Sequence, residues 1–403
     1  MKSFFISALI LSLVVFWVVG EKDTSLYKSN TLGTEVYSKK SENAQVKASS
    51  TLQKGTDTAS STKVVSHIQT PEHVKAIYMS SWVAGTPSVR ERLIRLIDDT
   101  ELNAVVIDVK DNTGVLSWGS RVRDIDALIA ELHEKHIYVI ARIASFQDPL
   151  FVKKHPELAV KNVTTGNVWK DRKGVPWVDT GSRAMWEYLK DIGHEAHDRG
   201  FDELNFDYIR FPTDGDLKSM RFPVSGERGL HDKRGIVQEF YKFLHDEFHP
   251  AGIPISGDLF GIIATNSNET KTLGQDLGDG LLYFDYVSLM VYPSHFYAGT
   301  AGFQNPAAHP REIIAYSTKG AIAVAVMTAS STHNSSSTQA IASSTLIAKL
   351  RPWYQDFDMG AVYTAEMVRA QIEAGEAYGV HSWMLWDPSN KYTRSALKTA
   401  TSN

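Results

Sequence analysis

Cysteine is missing from all 403 residues, so disulfides, thiolate metal sites and a cysteine nucleophile are excluded, although the compartment stays open. An excess of positive charge is missing too: 42 Lys and Arg stand against 46 Asp and Glu, a net charge of -4. A polyanionic ligand calls for clustered basic residues, so nucleic acid is not expected as a partner. No G-x-x-x-x-G-K-S/T segment is present to cradle phosphates. No H-x-H pair marks a strand end in the manner of a metal-dependent hydrolase barrel. Neither Ser80 nor Ser294 lies in the G-x-S-x-G turn of an acyl-transfer enzyme. No metal or cofactor is expected.

What is present begins with Lys2 and an almost unbroken apolar run from Phe4 to Val19, long enough to enter a bilayer. Residues 1–20 read as an export segment, a signal peptide or a membrane anchor. The bulky Trp17-Val18-Val19-Gly20 lacks the small residues of a cleavage site, which favours the anchor. With Lys2 kept inside, the remainder is expected to be extracytoplasmic, secreted or tethered to the membrane through this segment. From residue 21 to 70 the chain is rich in Ser, Thr, Lys and Gln and buries too little apolar surface to offset its ordering entropy, so it reads as a disordered tether. A second polar segment, Thr328 to Thr345 with Ser335-Ser336-Ser337, reads as an exposed low-complexity loop.

Between these segments short apolar runs alternate with helical patterns, a spacing that suits repeated βα units and one (β/α)8 barrel over residues 71–394. Strands are predicted at Lys75–Trp82, Asn103–Val109, Ile137–Ile143, Glu203–Ile209, Ile253–Asp258, Tyr286–Tyr292, Lys349–Gln355 and Val380–Trp386. Helical spacing covers Val89–Asp98, Ile125–Glu134, Ala184–Asp198 and Ala365–Tyr378. Successive strand residues point to opposite faces, so an apolar outer set identifies the inner set. Val105, Ile107 and Val109 leave Val106, Asp108 and Lys110 inward. Leu204, Phe206 and Tyr208 leave Glu203, Asn205 and Asp207 inward, and Val287, Leu289 and Val291 leave Ser288, Met290 and Tyr292. At the carboxyl ends, where barrel active sites sit, Asp108, Arg142, Asp207, Asp258, Tyr292, Gln355 and Trp386 should converge.

Six ordered motifs run through this region: Ala104-Val-Val-Ile-Asp-Val-Lys-Asp-Asn-Thr-Gly114, Asn205-Phe-Asp-Tyr-Ile-Arg-Phe-Pro212, Gly257-Asp-Leu-Phe-Gly261, Met290-Val-Tyr-Pro-Ser-His-Phe296, Arg351-Pro-Trp-Tyr-Gln-Asp-Phe357 and Trp383-Met-Leu-Trp-Asp-Pro-Ser-Asn390. Over Val74 to Thr393 the chain resembles a family of bacterial proteins described as glycoside hydrolases with a glycosidase-like (β/α)8 barrel. Two features depart from that pattern: Asp387 stands where Asn is expected, and Thr328 to Thr345 has the look of an insertion. The resemblance implies an enzyme acting on O-glycosyl bonds of a carbohydrate polymer.

Glycosidic cleavage needs one protonated carboxyl to assist the leaving oxygen and one ionised carboxylate to attack the sugar or activate water. Asp207 is the candidate for the ionised group, with Arg210 three residues on to hold it as a carboxylate; the competing reading is a structural Asp–Arg pair at the rim. Asp258 is the candidate acid, its pKa raised by neighbouring carboxylates, or else a cap on the turn that follows. Asp108 and Lys110 either orient substrate hydroxyls or form an internal ion pair. Tyr292 and His295 could donate to ring hydroxyls, and Arg142 and Gln355 join the substrate-binding set. Trp82, Trp177, Trp353 and Trp386 near strand ends suit the flat faces of pyranose rings, although core packing explains any one of them. Glu366 lies in an amphipathic pattern and reads as a helix-face residue. The rival to a hydrolase is a non-catalytic barrel that binds glycan of the cell envelope.

Overall fold

The computed structural model describes residues 65–332 and 336–400. The expected export segment and the tether as far as residue 64 lie outside the described residues. Eight parallel strands close into a barrel in chain order. They are β1 (Lys75–Met79), β2 (Ala104–Lys110), β3 (Tyr138–Ala144), β4 (Glu203–Asp207), β5 (Ile255–Phe260), β6 (Tyr286–Met290), β7 (Trp353–Gln355) and β8 (Trp383–Trp386). Helices between them at Pro87–Asp98, Ile125–Glu134, Arg183–Asp198 and Ala365–Glu376 lie where the apolar spacing predicts them. Their starts are fixed locally: the Ser182 and Thr364 hydroxyls accept from the backbone N–H groups of Met185 and Met367. The (β/α)8 expectation holds.

Alternation along the strands divides the core into two layers. Val105, Ile107, Val109, Leu204, Phe206, Val287 and Leu289 pack in the outer layer between strands and helices. Ala76, Tyr78, Val106, Tyr138, Ile140, Trp353 and Met384 fill the barrel itself. A register shift between Asp108 and Lys110 against β3 marks a bulge at the carboxyl end of β2.

Several boundaries move. β1 stops at Met79, because the Ser80 hydroxyl caps a short helix, Ser81–Ala84, and Trp82 leaves the strand with that helix. β7 shrinks from the expected Lys349–Gln355, since Pro352 has no N–H for the ladder; an isolated bridge joins Leu350 to Val287 ahead of it. Thr328 to Thr345, expected as a loop, is helical where it is described: it ends the helix Pro310–Thr332 and enters the helix Ser336–Ala348. The reason is a stripe of buried alanines, Ala321, Ala325 and Ala329, at four-residue spacing, while Ser330 and Ser343 hydroxyls donate back to the Val326 and Gln339 carbonyls instead of breaking the helix. Val65 to Thr70, read as the end of the tether, belongs to the folded unit. There the Ile68 N–H donates to Asp202 at 2.7 Å, and Thr70 shares a 3.0 Å hydrogen bond with the Tyr138 hydroxyl.

Two long excursions position one side of the barrel mouth. One leaves β3 and the other leaves β4, and a two-residue antiparallel pair, Lys161–Asn162 with Met220–Arg221, ties them together. At the opposite, amino end, Glu203 and Arg351 form a fully buried ion pair.

Candidate active site

The carboxyl ends of β2 to β5 bring three carboxyl groups together around one guanidinium. Asp108 lies opposite Arg142 in the β2–β3 register, and Asp207 follows at the end of β4. Arg142 Nη1 donates to Asp108, its Nε donates to Asp207 Oδ2 at 3.1 Å, and its Nη2 donates to the same oxygen. Asp258 Oδ2 lies 3.9 Å from Arg142 Nε. Three carboxyl groups thus share one cation inside a buried cluster. Burial disfavours the charge on Arg142, but Asp207 and Asp108 outweigh it and hold the guanidinium above its ordinary range.

Asp258 is the group this imbalance leaves short. Burial, reinforced by the Asp207 charge, pushes its carboxyl up to about 8 against the opposing pull of Arg142. Its Oδ1 accepts hydrogen bonds from Asn205 Nδ2 and Trp353 Nε1, both at 2.9 Å. Asp207 Oδ1 accepts instead from the Tyr208 backbone N–H at 2.5 Å. Tyr208 adopts φ 54°, a left-handed conformation that costs a non-glycine residue on the order of 1 kcal/mol and aims that N–H back at the carboxylate. Burial also raises Asp108, which accepts a short hydrogen bond from the Tyr78 hydroxyl.

Aromatic rings wall the cluster. Trp386 stacks on Tyr78 with centroids 4.0 Å apart, meets Trp353 edge-on at 5.5 Å, and lies 5.1 Å under the Arg142 guanidinium. The buried Tyr292 ring packs edge-on against His295 and Phe357, at 5.3 and 5.7 Å. Asp258 and Asp207 both act on its hydroxyl electrostatically, which places Tyr292 beside the two acids.

The structure therefore brings Asp108, Arg142, Asp207, Asp258, Tyr292 and Trp386 together, and it gives six other expected residues different surroundings. Arg210 is not the cation that holds Asp207; Arg142 is, because β3 is the strand next to β4 and Arg142, level with Asn205, reaches one step along to the carboxylate. Lys110 is wholly buried in an ion pair with Asp148 at 2.9 Å and donates to the Ala144 carbonyl, since the β2 bulge turns it away from the cavity. It is unavailable to a substrate. Gln355 donates to the Phe357 carbonyl at 2.9 Å and braces the loop after β6, accepting from Ser294 N and Oγ at 3.2 and 2.8 Å. His295 is half-buried on that loop, within 3.1 Å of Ser294 Oγ through Nδ1, and burial lowers its pKa to about 4, so it acts as a neutral imidazole. Trp82 is 73% exposed on its short helix, and Trp177 is buried in the β3 excursion.

Tyr78 was missed by looking for charge at strand ends, although strand parity places it inward beside Ala76. Asp148 gave no signal at all, lying beyond the strand in a loop. Asp387, off the family pattern, caps its own loop by accepting from Ser389 and Lys391 backbone N–H groups. Among the described residues no group of three or more His, Asp and Glu side chains converges on a metal position.

Residues 76–392 match the family described as a putative glycosyl hydrolase domain. The chain belongs to this family. No curated protein matches it. Among solved structures, the glycoside hydrolase domain of PgaB (BpsB) from Bordetella bronchiseptica is similar over 82% of this chain and 100% of its own, with 12% identity and a TM-score of 0.57. A hypothetical protein from Ruminiclostridium thermocellum is 33% identical over 45% of this chain and 96% of its own, with a TM-score of 0.40. A chitinase from Chromobacterium violaceum is 13% identical over 80% of this chain and 96% of its own, with a TM-score of 0.49. The likeness to the Bordetella domain bears on the barrel fold. Family membership bears on the class of reaction, glycoside hydrolysis.

Proposed function

We propose that the chain is an exported hydrolase of O-glycosyl bonds acting on a cell-surface or extracellular polysaccharide, with Asp258 as the general acid and Asp207 as the nucleophile or general base. The observation that carries this reading is the unequal treatment of two neighbouring carboxyls. Asp207 is clamped by Arg142 and the Tyr208 N–H, whereas Asp258 is buried beside it with its pKa lifted to about 8. A protonated acid next to an ionised carboxylate is what departure of an alcohol from an anomeric carbon requires. Asp258 gives its proton to the glycosidic oxygen, and Asp207 attacks the anomeric carbon or draws a proton from the attacking water. Asn205 and Trp353 fix the Asp258 carboxyl, and the half-buried Trp386 borders the cluster where a pyranose would lie. Export rests on the apolar run from Phe4 to Val19 behind Lys2.

The test is release of reducing ends from a panel of bacterial surface polysaccharides by the soluble barrel, residues 65–403, and by its Asp207→Asn and Asp258→Asn variants. Cleavage by the parent and its loss in both folded variants supports the assignment. One observation favours the non-catalytic reading: Asp258 is only 1% exposed, so a sugar oxygen must reach deep to meet it. Glycan binding with equal, negligible cleavage by parent and variants would decide for that alternative. Separately, fractionation of cells expressing chains with and without residues 1–20 tests export; an unchanged distribution removes that part of the proposal.

A further inference from the structure

Arg210 stands apart from every other charged group of the mouth. It lies on the β4 excursion with its guanidinium framed by three rings: Trp177 at 4.8 Å, Phe260 at 4.9 Å and Tyr208 at 5.8 Å. These rings come from the β3 excursion, the end of β5 and the residue after Asp207, so the frame adjoins the catalytic carboxyls. The side chain is only 7% exposed, and no described carboxylate pairs with it, although Asp207, Asp171 and Asp214 act on it from farther away. Asp171 is occupied with Trp177 Nε1 and Gln147, and Asp214 with Arg172. Nη1 is used internally, donating to the Phe211 carbonyl at 3.0 Å and to Thr213 Oγ1 at 3.3 Å. The other edge of the fork, Nε with Nη2, donates to no described group. Neither atom is among those sealed from water without a partner, in contrast to Nε and Nη1 of Arg351.

A largely desolvated cation without a counter-ion is costly, and the side-on Nε/Nη2 edge of a guanidinium matches the two oxygens of a carboxylate. Accordingly, we infer that Arg210 forms a subsite for a carboxylate-bearing sugar residue of the substrate, next to the bond that is cleaved. Nη1 and the three rings fix the plane of the fork, and the sugar carboxylate completes the ion pair from the open edge. A neutral glycan would leave the guanidinium unpaired when it displaced water from this edge. This subsite rests on the reading of the mouth as a glycan-cleaving site, but binding can be measured without cleavage.

The experiment is calorimetric titration of the soluble barrel with oligogalacturonate, with a phosphorylated oligosaccharide of the same length and with neutral malto-oligosaccharide, on the parent, Arg210→Gln and Arg210→Lys. The expected result is at least about tenfold tighter binding of the uronate than of the neutral glycan, a preference that falls to near unity in Arg210→Gln and is partly kept in Arg210→Lys, which retains the charge without the fork. The phosphorylated glycan should bind less tightly than the uronate. If the parent shows no preference for the uronate over the neutral glycan, or if Arg210→Gln keeps the preference, the subsite is refuted. The parent comparison stands even where a variant fails to fold. Selective uronate binding with no cleavage of any glycan would leave the subsite intact and overturn the hydrolase reading, whereas glycan cleavage by a parent that shows no preference for uronate would do the reverse.

Discussion

Two arginines lie inside this barrel, one toward each end, and their surroundings differ in stoichiometry. Toward the amino end Arg351 meets one carboxylate, Glu203, which also accepts from Ser256 Oγ at 2.6 Å and from the Tyr138 hydroxyl at 3.2 Å. Toward the carboxyl end Arg142 meets three, Asp108, Asp207 and Asp258. One-to-one pairing neutralises charge and locks strands together. One-to-three pairing leaves a carboxyl that can be buried only by holding a proton, and a held proton can be given to a substrate. On the proposed function, the same residue types thus serve architecture at one end and proton transfer at the other.

The sharpest way to break this contrast is Asp207→Asn, which keeps the shape while removing the charge, its one amide oxygen accepting from Arg142 or from the Tyr208 N–H but not from both. Polysaccharide cleavage should fall by about 10³-fold or more with little change in melting temperature, because the lost interaction matters mainly in the transition state. A variant that keeps most of its rate would deny Asp207 its role. Next, Glu203→Gln should cost about 3–5 kcal/mol in denaturant unfolding by stranding the buried Arg351 charge, and should leave substrate preference alone. Replacing both partners, Glu203→Leu with Arg351→Met, should recover most of that loss; failure to recover would mean that the pair does more than neutralise itself.

Titration sharpens the comparison from another side. Asp258 has its folded pKa near 8, above the carboxyl's ordinary 3.8, so the folded chain holds a proton that the unfolded chain releases between those values. Its contribution to stability is therefore fully present below about pH 4 and is lost as pH rises to about 8. Asp258→Asn should be more stable than the parent at pH 8 to 9, by an amount on the order of a few kcal/mol, and no more stable at pH 4. The parent's rate should also decline as pH climbs past about 8, and equal melting temperatures at both pH values would contradict the raised acid. A smaller effect is expected for Tyr78→Phe, which removes the donor to Asp108: about 1 kcal/mol of stability and a modest drop in rate. Smallest is Trp82→Ala, which should change stability by less than about 0.5 kcal/mol and alter only the affinity for long glycans, if binding is followed with chain length.

The fold was legible because each strand repeats one local rule, apolar residues on alternate positions of a buried face, and eight repetitions reinforce one another. Asp207 and Asp258 were legible for the same reason, since parity aims them inward at the end of the strand that carries Asn205 and at the carboxyl half of its neighbour. Arg210 misled because nearness in sequence suggested a partner: three residues beyond a strand end the chain has already turned, as the left-handed Tyr208 shows. Lys110 misled because a bulge is not visible in alternation. The serine-rich segment misled because composition hid the alanine stripe at four-residue spacing.

The sequence by itself determined the barrel, the inward placing of Asp108 and Asp207 on their strands and the end at which the acids gather, because these follow from periodicities read a few residues at a time. Only the tertiary structure decided which cation holds Asp207, a partner 65 residues away along the chain, and how many carboxyls that cation must serve. Pairing and protonation depend on distance and burial across neighbouring strands, and closing the sheet is what sets both.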